Sequence, residues 1–271
     1  MKKLEIPSFQ SKSELIDFMI ANKSTLIAQK MSVLKEADSI EYGVPISNMK
    51  GEAVKADAIG VDSNEIQVKA IINTTNIMDS HKDVHIPGLW KKSLKENKRL
   101  MHIQEHKSHE FSSIIASGDD LKAYTKTMTW KSLGYDVEGS TQALVFDSTI
   151  KRERNPYMFN QYAKGYVNNH SVGMRYVKIF MAIDDERYEE EKAVWDKYYP
   201  EITNKEEADA SGVFWAVTEA KAVEGSAVPM GSNPITPTQS IKQEPSQGTP
   251  SKAVADTFNI SEAVKNINLK I

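Results

Sequence analysis

Residues 155–176 read NPYMFNQYAKGYVNNHSVGMRY and pass from a helical pattern into a strand pattern. Asparagine and proline at the start of the stretch favour a helix over residues 155–164, and Gly165 is typical of a helix end. In the strand that follows, Ser171 and Gly173 share one face, because side chains alternate between the two faces of a strand. The other face is apolar. The stretch therefore predicts a strand with one core-facing side and one side of reactive or small residues.

The sequence on either side predicts a mixed α+β protein in which strands predominate. Residues 1–45 show helical spacing of apolar side chains, and Ser11 with Glu14 matches a capping box. From Ile59 onward, short runs of alternating apolar and polar residues are typical of half-buried strands. Residues 89–100 predict one further short helix between strands.

The composition is that of an ordinary globular protein and excludes several chemistries. The 271 residues include 34 basic and 37 acidic side chains, a net charge of −3, so no overall positive field favours nucleic acid or an anionic membrane. The absence of Cys excludes disulfides, thiolate zinc sites and a cysteine nucleophile. No apolar run approaches the ~18 residues of a membrane span, and residues 1–15 lack the apolar core of a secretion signal. We expect an intracellular protein that binds neither nucleic acid nor membrane.

Shifts in composition divide the chain into segments. We expect a helical N-terminal segment (1–56), a globular domain (57–235), a linker rich in Pro, Ser, Thr and Gln (236–252) and a C-terminal tail (253–271). Within the globular domain, the strongly acidic stretch 184–209 predicts a solvated helical excursion between two strands.

The six histidines are concentrated in one third of the chain. They are His81, His85, His102, His106, His109 and His170. The first two are spaced i, i+4 and the next three i, i+4, i+7, which on a helix would place imidazoles on one face and could bind a metal ion. Neither group forms HExxH, and the first lies in a loop-like stretch before Pro87. The spacing leaves a metal-dependent hydrolase as an alternative, although these last two features argue against it. The first two histidines and the last are expected to be structural.

Nucleophilic catalysis by a hydroxyl group is the competing interpretation, because the chain has no thiol. A serine needs an imidazole base to remove its proton, and the base needs a third group to orient it. Ser171 is the candidate nucleophile, since it begins the strand beside Gly173, whose small size would let a substrate backbone approach.

Four stretches, in this order, resemble the prohead (capsid maturation) serine protease family of tailed bacteriophages, which is related in fold to herpesvirus assemblin. The stretches are NTTNIMDSHKDVHIPGLWKKSL (73–94), HIQEHKSHEF (102–111), GYVNNHSVGM (165–174) and VTEAKAVEGSAVPMGSNPIT (217–236). The resemblance covers about residues 57–237. It implies an assemblin-like closed β-barrel with flanking helices, and peptidase activity.

Carried over residue by residue, the resemblance implies that Ser171 is the nucleophile and His106 the general base. His106 matches the family's histidine because the strand-like residues 100–105 precede it. His102 and His109 are rival bases.

The acidic member of the site is expected near the end of the domain. Glu224 matches the family's acidic residue and is the candidate for orienting the base, with Glu219 as the fallback. Backbone N–H groups near Val172 and Gly173, or the side chain of Arg175, could stabilise the oxyanion.

The resemblance further implies an endopeptidase that acts in the host cytoplasm, inside the assembling prohead. Its substrates would be scaffolding protein, the propeptide of the major capsid protein and the protease itself. No cofactor is implied, and self-association as a dimer is expected by analogy. A capsid-assembly factor with scaffold-like ends and weak or absent proteolysis is the alternative from another functional class.

Overall fold

The structure is a computed structural model that describes residues 7–35 and 63–243. The C-terminal tail expected at 253–271 and most of the expected linker lie outside the described residues. None of the helices in these two described ranges has the length and apolar character of a membrane span.

Strands predominate over helices, which confirms the mixed α+β class. The strands are β1 (Glu65–Thr74), β2 (Asp83–His85), β3 (Met101–Gln104), β4 (Ile114–Ser117), β5 (Leu121–Thr129), β6 (Ser140–Lys151), β7 (His170–Ile183), β8 (Val213–Ala227) and β9 (Thr238–Gln243). The helices are α1 (Lys12–Ala21), α2 (Lys23–Ser32), α3 (Lys91–Glu96), α4 (Pro156–Ala163), α5 (Glu189–Tyr198) and α6 (Lys205–Ser211).

The described strands form two sheets, not the closed barrel that the resemblance implied. The first sheet has the order β5-β6-β1-β9, and all its neighbouring strands are antiparallel. In the second, β8 pairs in parallel with β2 and β3, while β7 pairs antiparallel along most of the length of β8 and β4 lies beyond β3. Among the described residues, no hydrogen-bonded ladder joins an edge of one sheet to an edge of the other, so the barrel does not close.

The two sheets pack against each other around one large apolar core. Buried side chains of β1 and β6 belong to the same cluster as those of β7 and β8. Gly225 of β8 lies at a point of close approach, since a Cβ built there would be 2.5 Å from a ring atom of Phe146 and 3.0 Å from Ile72. A larger residue at this position would push the sheets apart.

Helix α4 follows from the sequence that predicted it. The Asn155 side chain accepts a hydrogen bond of 3.0 Å from the Met158 N–H, and Pro156 occupies the first helical turn. Gly165 adopts φ +69° just after the helix.

The N-terminal helices pack on the edge of the second sheet. Ser11 caps α1 by accepting a hydrogen bond of 3.2 Å from the Glu14 N–H, as the capping box predicted. Helix α2 contacts β7, and Lys35, just after it, forms an isolated antiparallel bridge with Met174.

The folded domain extends beyond residue 235, where we expected it to end. β9 lies in the stretch assigned to the linker, yet it pairs with β1 as the edge strand of the first sheet. Pro237 precedes the strand and its carbonyl accepts a hydrogen bond of 3.0 Å from the Ile71 N–H, so the proline-rich composition concealed a strand at a sheet edge.

The acidic stretch 184–209 forms helices between β7 and β8, as expected, but it is also anchored by a second, smaller cluster of buried apolar residues. Trp195 of α5 is buried, and its ring centroid lies 5.0 Å from those of Tyr199 and Phe214. The acidic side chains occupy mainly the exposed positions of the helices.

Two histidines and a tyrosine form a hydrogen-bonded chain in the core. The Tyr162 hydroxyl lies 3.0 Å from His102 Nε2 and 2.9 Å from His170 Nε2. The outer ring nitrogens contact Ser148 Oγ at 2.9 Å and the Thr236 carbonyl oxygen at 2.8 Å. Both nitrogens of each imidazole are therefore used in structural hydrogen bonds.

Burial of neutral histidines makes the stability of this fold depend on pH. Burial lowers the pKa of His170 and of His85 from 6.5 to about 4, and it lowers the pKa of His102 well below its ordinary value. The unfolded chain therefore takes up protons near pH 6.5, whereas the folded chain does not. Folding stability is retained above pH 6.5 and decreases as the pH falls from 6.5 towards 4.

We expect the free energy of unfolding to fall between pH 6.5 and 4.5, with each buried histidine contributing up to about 1.4 kcal/mol per pH unit. Urea unfolding at several pH values measures the slope. His102→Gln should reduce the slope, whereas His109→Gln should leave it unchanged because the side chain of His109 is 80% exposed. Equal slopes for His102→Gln and the parent chain would contradict the account.

Candidate active site

The candidate base lies at a tight turn after β3. Glu105 and His106 both adopt left-handed backbone conformations, with φ of 51° and 56°. Such angles are uncommon for residues other than glycine and are held by surrounding contacts. Here the Glu105 N–H donates to the Ala227 carbonyl at 2.9 Å, and the His106 N–H donates to Ser226 Oγ at 3.0 Å. Both contacts tie the turn to the end of β8.

The candidate acid is in direct contact with this base. His106 Nδ1 lies 2.6 Å from Glu224 Oε1, and the second carboxylate oxygen, Oε2, accepts a hydrogen bond of 2.7 Å from Ser226 Oγ. Glu224 is 1% exposed. A buried carboxylate acts as an acceptor, so the contact assigns the imidazole proton to Nδ1 and leaves Nε2 as the proton acceptor.

The Nε2 atom of His106 is available for chemistry. It is buried and has no hydrogen-bond partner among the residues that the structure describes. Buried polar atoms are normally hydrogen-bonded, and exceptions are often found at sites of ligand binding or catalysis.

Gly173 provides the space for the carboxylate. It pairs with Glu224 across β7 and β8, and a Cβ built on it would lie 2.0 Å from Glu224 Oε1. We expected the small residue to admit a substrate backbone. The structure corrects this interpretation, since the space beside Gly173 is filled by the side chain of Glu224.

Ser171 lies on the same face as the pair. It is the cross-strand partner of Ser226, and directly opposed residues of antiparallel strands project from the same face of a sheet. Ser226 contacts both Glu224 and the His106 backbone on that face. No hydrogen bond joins Ser171 Oγ to His106 Nε2, which has no partner among the described residues. The structure thus brings the three residues to one face without a hydrogen bond between Ser171 Oγ and His106 Nε2.

The rival bases lie elsewhere. His102 belongs to the hydrogen-bonded chain in the core, where both of its ring nitrogens have partners. His109 is exposed, and its Nε2 lies 3.7 Å from a carboxylate oxygen of Glu110. His170 precedes Ser171 on the strand and therefore projects from the opposite face, where it contacts Tyr162.

The fallback acid contacts two lysines. Glu219 lies 2.9 Å from Lys178 Nζ and 3.4 Å from Lys92 Nζ. The hydrogen bond from Lys178 lowers the pKa of Glu219. Both carboxylate oxygens are thereby occupied. Arg175, an expected oxyanion donor, is exposed on β7.

His102, His106 and His109, considered above as a metal-binding group, lie in three different environments. His102 is in the core, His106 is paired with Glu224, and His109 is on the surface. Their i, i+4, i+7 spacing spans a strand and a turn, so it does not align the imidazoles as a helix would.

His85 does lie near two carboxylates, but the arrangement does not fit a metal ion. Donor atoms of Asp79, Asp83 and His85 lie within 4.8 Å of one another. The ammonium group of Lys35 contacts both carboxylates. His85 Nδ1 lies 2.7 Å from Asn73 Nδ2, which donates to it. The imidazole proton then sits on Nε2, opposite to the arrangement in which a metal-binding histidine donates its second N–H.

The sequence analysis did not predict the roles of two residues that contact buried carboxylates. Ser226, which binds the acid and the turn of the base, lies two residues after Glu224, and strand periodicity could have placed both on one face. The contact of Lys35 with Asp79 and Asp83 joins distant segments and has no local sequence signal.

Comparisons with models of known protein families, with curated proteins and with solved structures found no match.

We expect Gly173→Ala to displace the Glu224 carboxylate and break its contact with His106, because the added methyl group would overlap Oε1. Overpacking of this kind costs about 1–3 kcal/mol in stability. The Nδ1–H proton resonance of His106, followed by NMR, should shift or disappear. Ser171→Ala, which adds no atom near the carboxylate, is the matched control and should preserve the resonance. An unchanged resonance in Gly173→Ala would refute the assigned packing.

Proposed function

We propose that the chain is a serine endopeptidase with Ser171 as nucleophile, His106 as general base and Glu224 as the residue that orients the base. The observation that carries the proposal is the contact of His106 Nδ1 with the buried Glu224 carboxylate. It leaves Nε2, buried and without a partner among the described residues, on the face shared with Ser171. A serine, an imidazole and an orienting carboxylate form the set that hydroxyl catalysis requires.

In the proposed reaction, His106 Nε2 removes the proton of Ser171 Oγ as the oxygen attacks a peptide carbonyl. The tetrahedral intermediate collapses to an acyl-enzyme, and the leaving amine takes the proton from the imidazolium. A water molecule, deprotonated by the same nitrogen, then releases the acyl group and restores the serine. Glu224 keeps the ring in place and stabilises its positive charge during each transfer.

The motif resemblance provides the biological setting of the proposal. It suggests a protease of the prohead interior whose substrates are scaffolding protein, the capsid propeptide and its own chain, and whose fold is assemblin-like. Dimerisation belongs to the same set of expectations.

A capsid-assembly factor with little or no proteolysis is the second candidate. The observation in its favour is the missing hydrogen bond between Ser171 and His106. Catalytic hydrogen bonds often tighten only when substrate is bound, so a chemical test of Ser171 distinguishes the two functions.

A fluorophosphonate probe tests the nucleophile, because it reacts with serines that a base has activated. We expect the parent chain to be labelled at Ser171 and to cleave casein, whereas Ser171→Ala and His106→Ala lose both properties. Glu224→Gln should reduce the cleavage rate by about 10²–10⁴-fold, as loss of an orienting carboxylate does in serine proteases.

His109→Ala is the matched control, because it removes an exposed imidazole three residues away and should retain the parent rates. Labelling of a folded Ser171→Ala variant at the parent rate would exclude Ser171 as the nucleophile. An unlabelled parent chain that still promotes shell assembly would favour the assembly factor.

Self-cleavage gives an independent prediction. Mass spectrometry of the purified parent chain, incubated beside Ser171→Ala, should reveal shortened species in the parent sample alone. Unchanged full-length masses in both samples would exclude self-processing.

A further inference from the structure

The outer edge of β7 is paired with a residue from a distant part of the chain. The Lys35 N–H donates to the Met174 carbonyl at 2.8 Å, and the Met174 N–H donates to the Lys35 carbonyl at 3.2 Å. The other edge of β7 is paired with β8. On the same edge, the His170 N–H donates to Thr236 Oγ1 at 3.1 Å, and the His170 carbonyl accepts a hydrogen bond of 2.7 Å from that hydroxyl. Between Met174 and His170, the edge position of Val172, next to Ser171, is the one at which a further strand could pair.

The side chain of Lys35 enters a buried acidic pocket beside the same strand. Its Nζ contacts Asp79 and lies 2.6 Å from Asp83 Oδ2, and the lysine side chain is 6% exposed. The Tyr176 hydroxyl, from the next residue but one after Met174, also donates to Asp83. We call the group of side chains around the Lys35 ammonium, formed by Asp79, Asp83 and Tyr176, the lysine pocket.

A second lysine lies at the mouth of the lysine pocket. Lys30 Nζ is 3.0 Å from Asp83 Oδ1, and it lies 5.3 Å from the ring centroids of both Tyr176 and Trp215. Lys30 and Lys35 therefore place two ammonium groups against the buried carboxylate of Asp83.

The electrostatics of the lysine pocket require a cationic occupant. Asp79 and Asp83 are almost completely buried, and two buried carboxylates without compensating charge are costly. Burial alone would lower the pKa of Lys35, but the two carboxylates outweigh it and raise the pKa, so the occupant is an ammonium ion. A neutral side chain of the same length would leave Asp83 with Lys30 alone and Asp79 with no cation among the described residues.

Lys35 thus combines two features by which proteins recognise extended peptides. Backbone hydrogen bonds to a strand edge provide affinity, and a side-chain pocket provides specificity. The pairing is antiparallel, so a peptide in the same register runs from Met174 towards Ser171 after its lysine. Ser171 lies three residues from Met174 on β7, which places the third residue after the lysine opposite Ser171.

We propose that the outer edge of β7 and the lysine pocket form a binding site for an extended peptide with a lysine side chain, and that Lys35 is an intramolecular occupant that competes with such a peptide. The substrate class is then a peptide cleaved about three residues after a lysine. The inferred cleavage position rests on the proposed function, because the three-residue offset matters only if Ser171 is the nucleophile. The binding itself requires no catalysis and is tested without it.

The test uses the full chain with Ser171→Ala, so that no turnover occurs. The probe is a fluorescein-labelled, C-terminally amidated peptide of residues 31–39, MSVLKEADS, which has Lys35 as its one lysine and continues beyond it, and the matched probe carries Lys35→Met. Fluorescence anisotropy measures the binding of each peptide to the chain with its own Lys35 and to the Lys35→Met chain. We expect the lysine peptide to bind the Lys35→Met chain at least about tenfold more tightly than the chain that keeps Lys35, and the methionine peptide to lose this gain. Equal affinities of the two peptides for a folded Lys35→Met chain would overturn the proposal.

A second measurement covers the case in which Lys35→Met fails to fold. Reductive methylation of the Ser171→Ala chain, read by mass spectrometry, should modify Lys35 slowly and Lys131 rapidly, since Lys131 is 55% exposed. Excess lysine peptide should accelerate methylation of Lys35 and not of Lys131, because it displaces Lys35 from the pocket. An unchanged rate at Lys35 would overturn the proposal.

The two proposals fail in distinguishable ways. Lysine-dependent peptide binding without fluorophosphonate labelling would support the peptide site and contradict the protease proposal. Labelling of Ser171 without lysine-dependent peptide binding would support the protease proposal and contradict the peptide site.

Discussion

The buried carboxylate of Glu224 is the group on which the arrangement of the site depends. A carboxylate with 1% exposure is stable only if hydrogen bonds replace its lost water. His106 and Ser226 provide these bonds, one to each oxygen, and Gly173 leaves the space that the group occupies. Loss of one hydrogen-bond partner from a buried polar group costs about 1–3 kcal/mol, and more when the group is charged. Burial of the Glu224 carboxylate therefore explains both why a glycine is needed at position 173 and why the His106 imidazole is held in one orientation.

Strand β8 brings the parts of the site together. One of its edges pairs in parallel with β3, so the turn that carries His106 begins beside the end of β8. The opposite edge pairs with β7, which places Ser171 across from Ser226. Residues from three distant segments thus meet on one face. The other face of β7 and β3 belongs to the core, where His102 and His170 complete the hydrogen-bonded chain with Tyr162.

Features that depend on residues close together in the chain could be predicted from the sequence, whereas features that depend on contacts between distant segments could not. The caps of α4, the strand after it and the mixed α+β class follow from neighbouring residues. The grouping of Ser171, His106 and Glu224 came from a resemblance of motifs, because no local pattern joins them. The pairing of β9 and the contacts of Lys35 depend on segments far apart in the chain. The closure of a sheet likewise depends on edge pairing, which alternation of side chains does not reveal.

A crystal structure of the chain inhibited by a peptidyl phosphonate would test the central claim most directly. The account predicts a covalent bond from phosphorus to Ser171 Oγ, His106 Nε2 within about 3 Å of the Ser171 oxygen, and the Glu224 contact with Nδ1 retained. Phosphonate attached to another residue, or an imidazole of His106 turned away from Ser171 in the adduct, would contradict it.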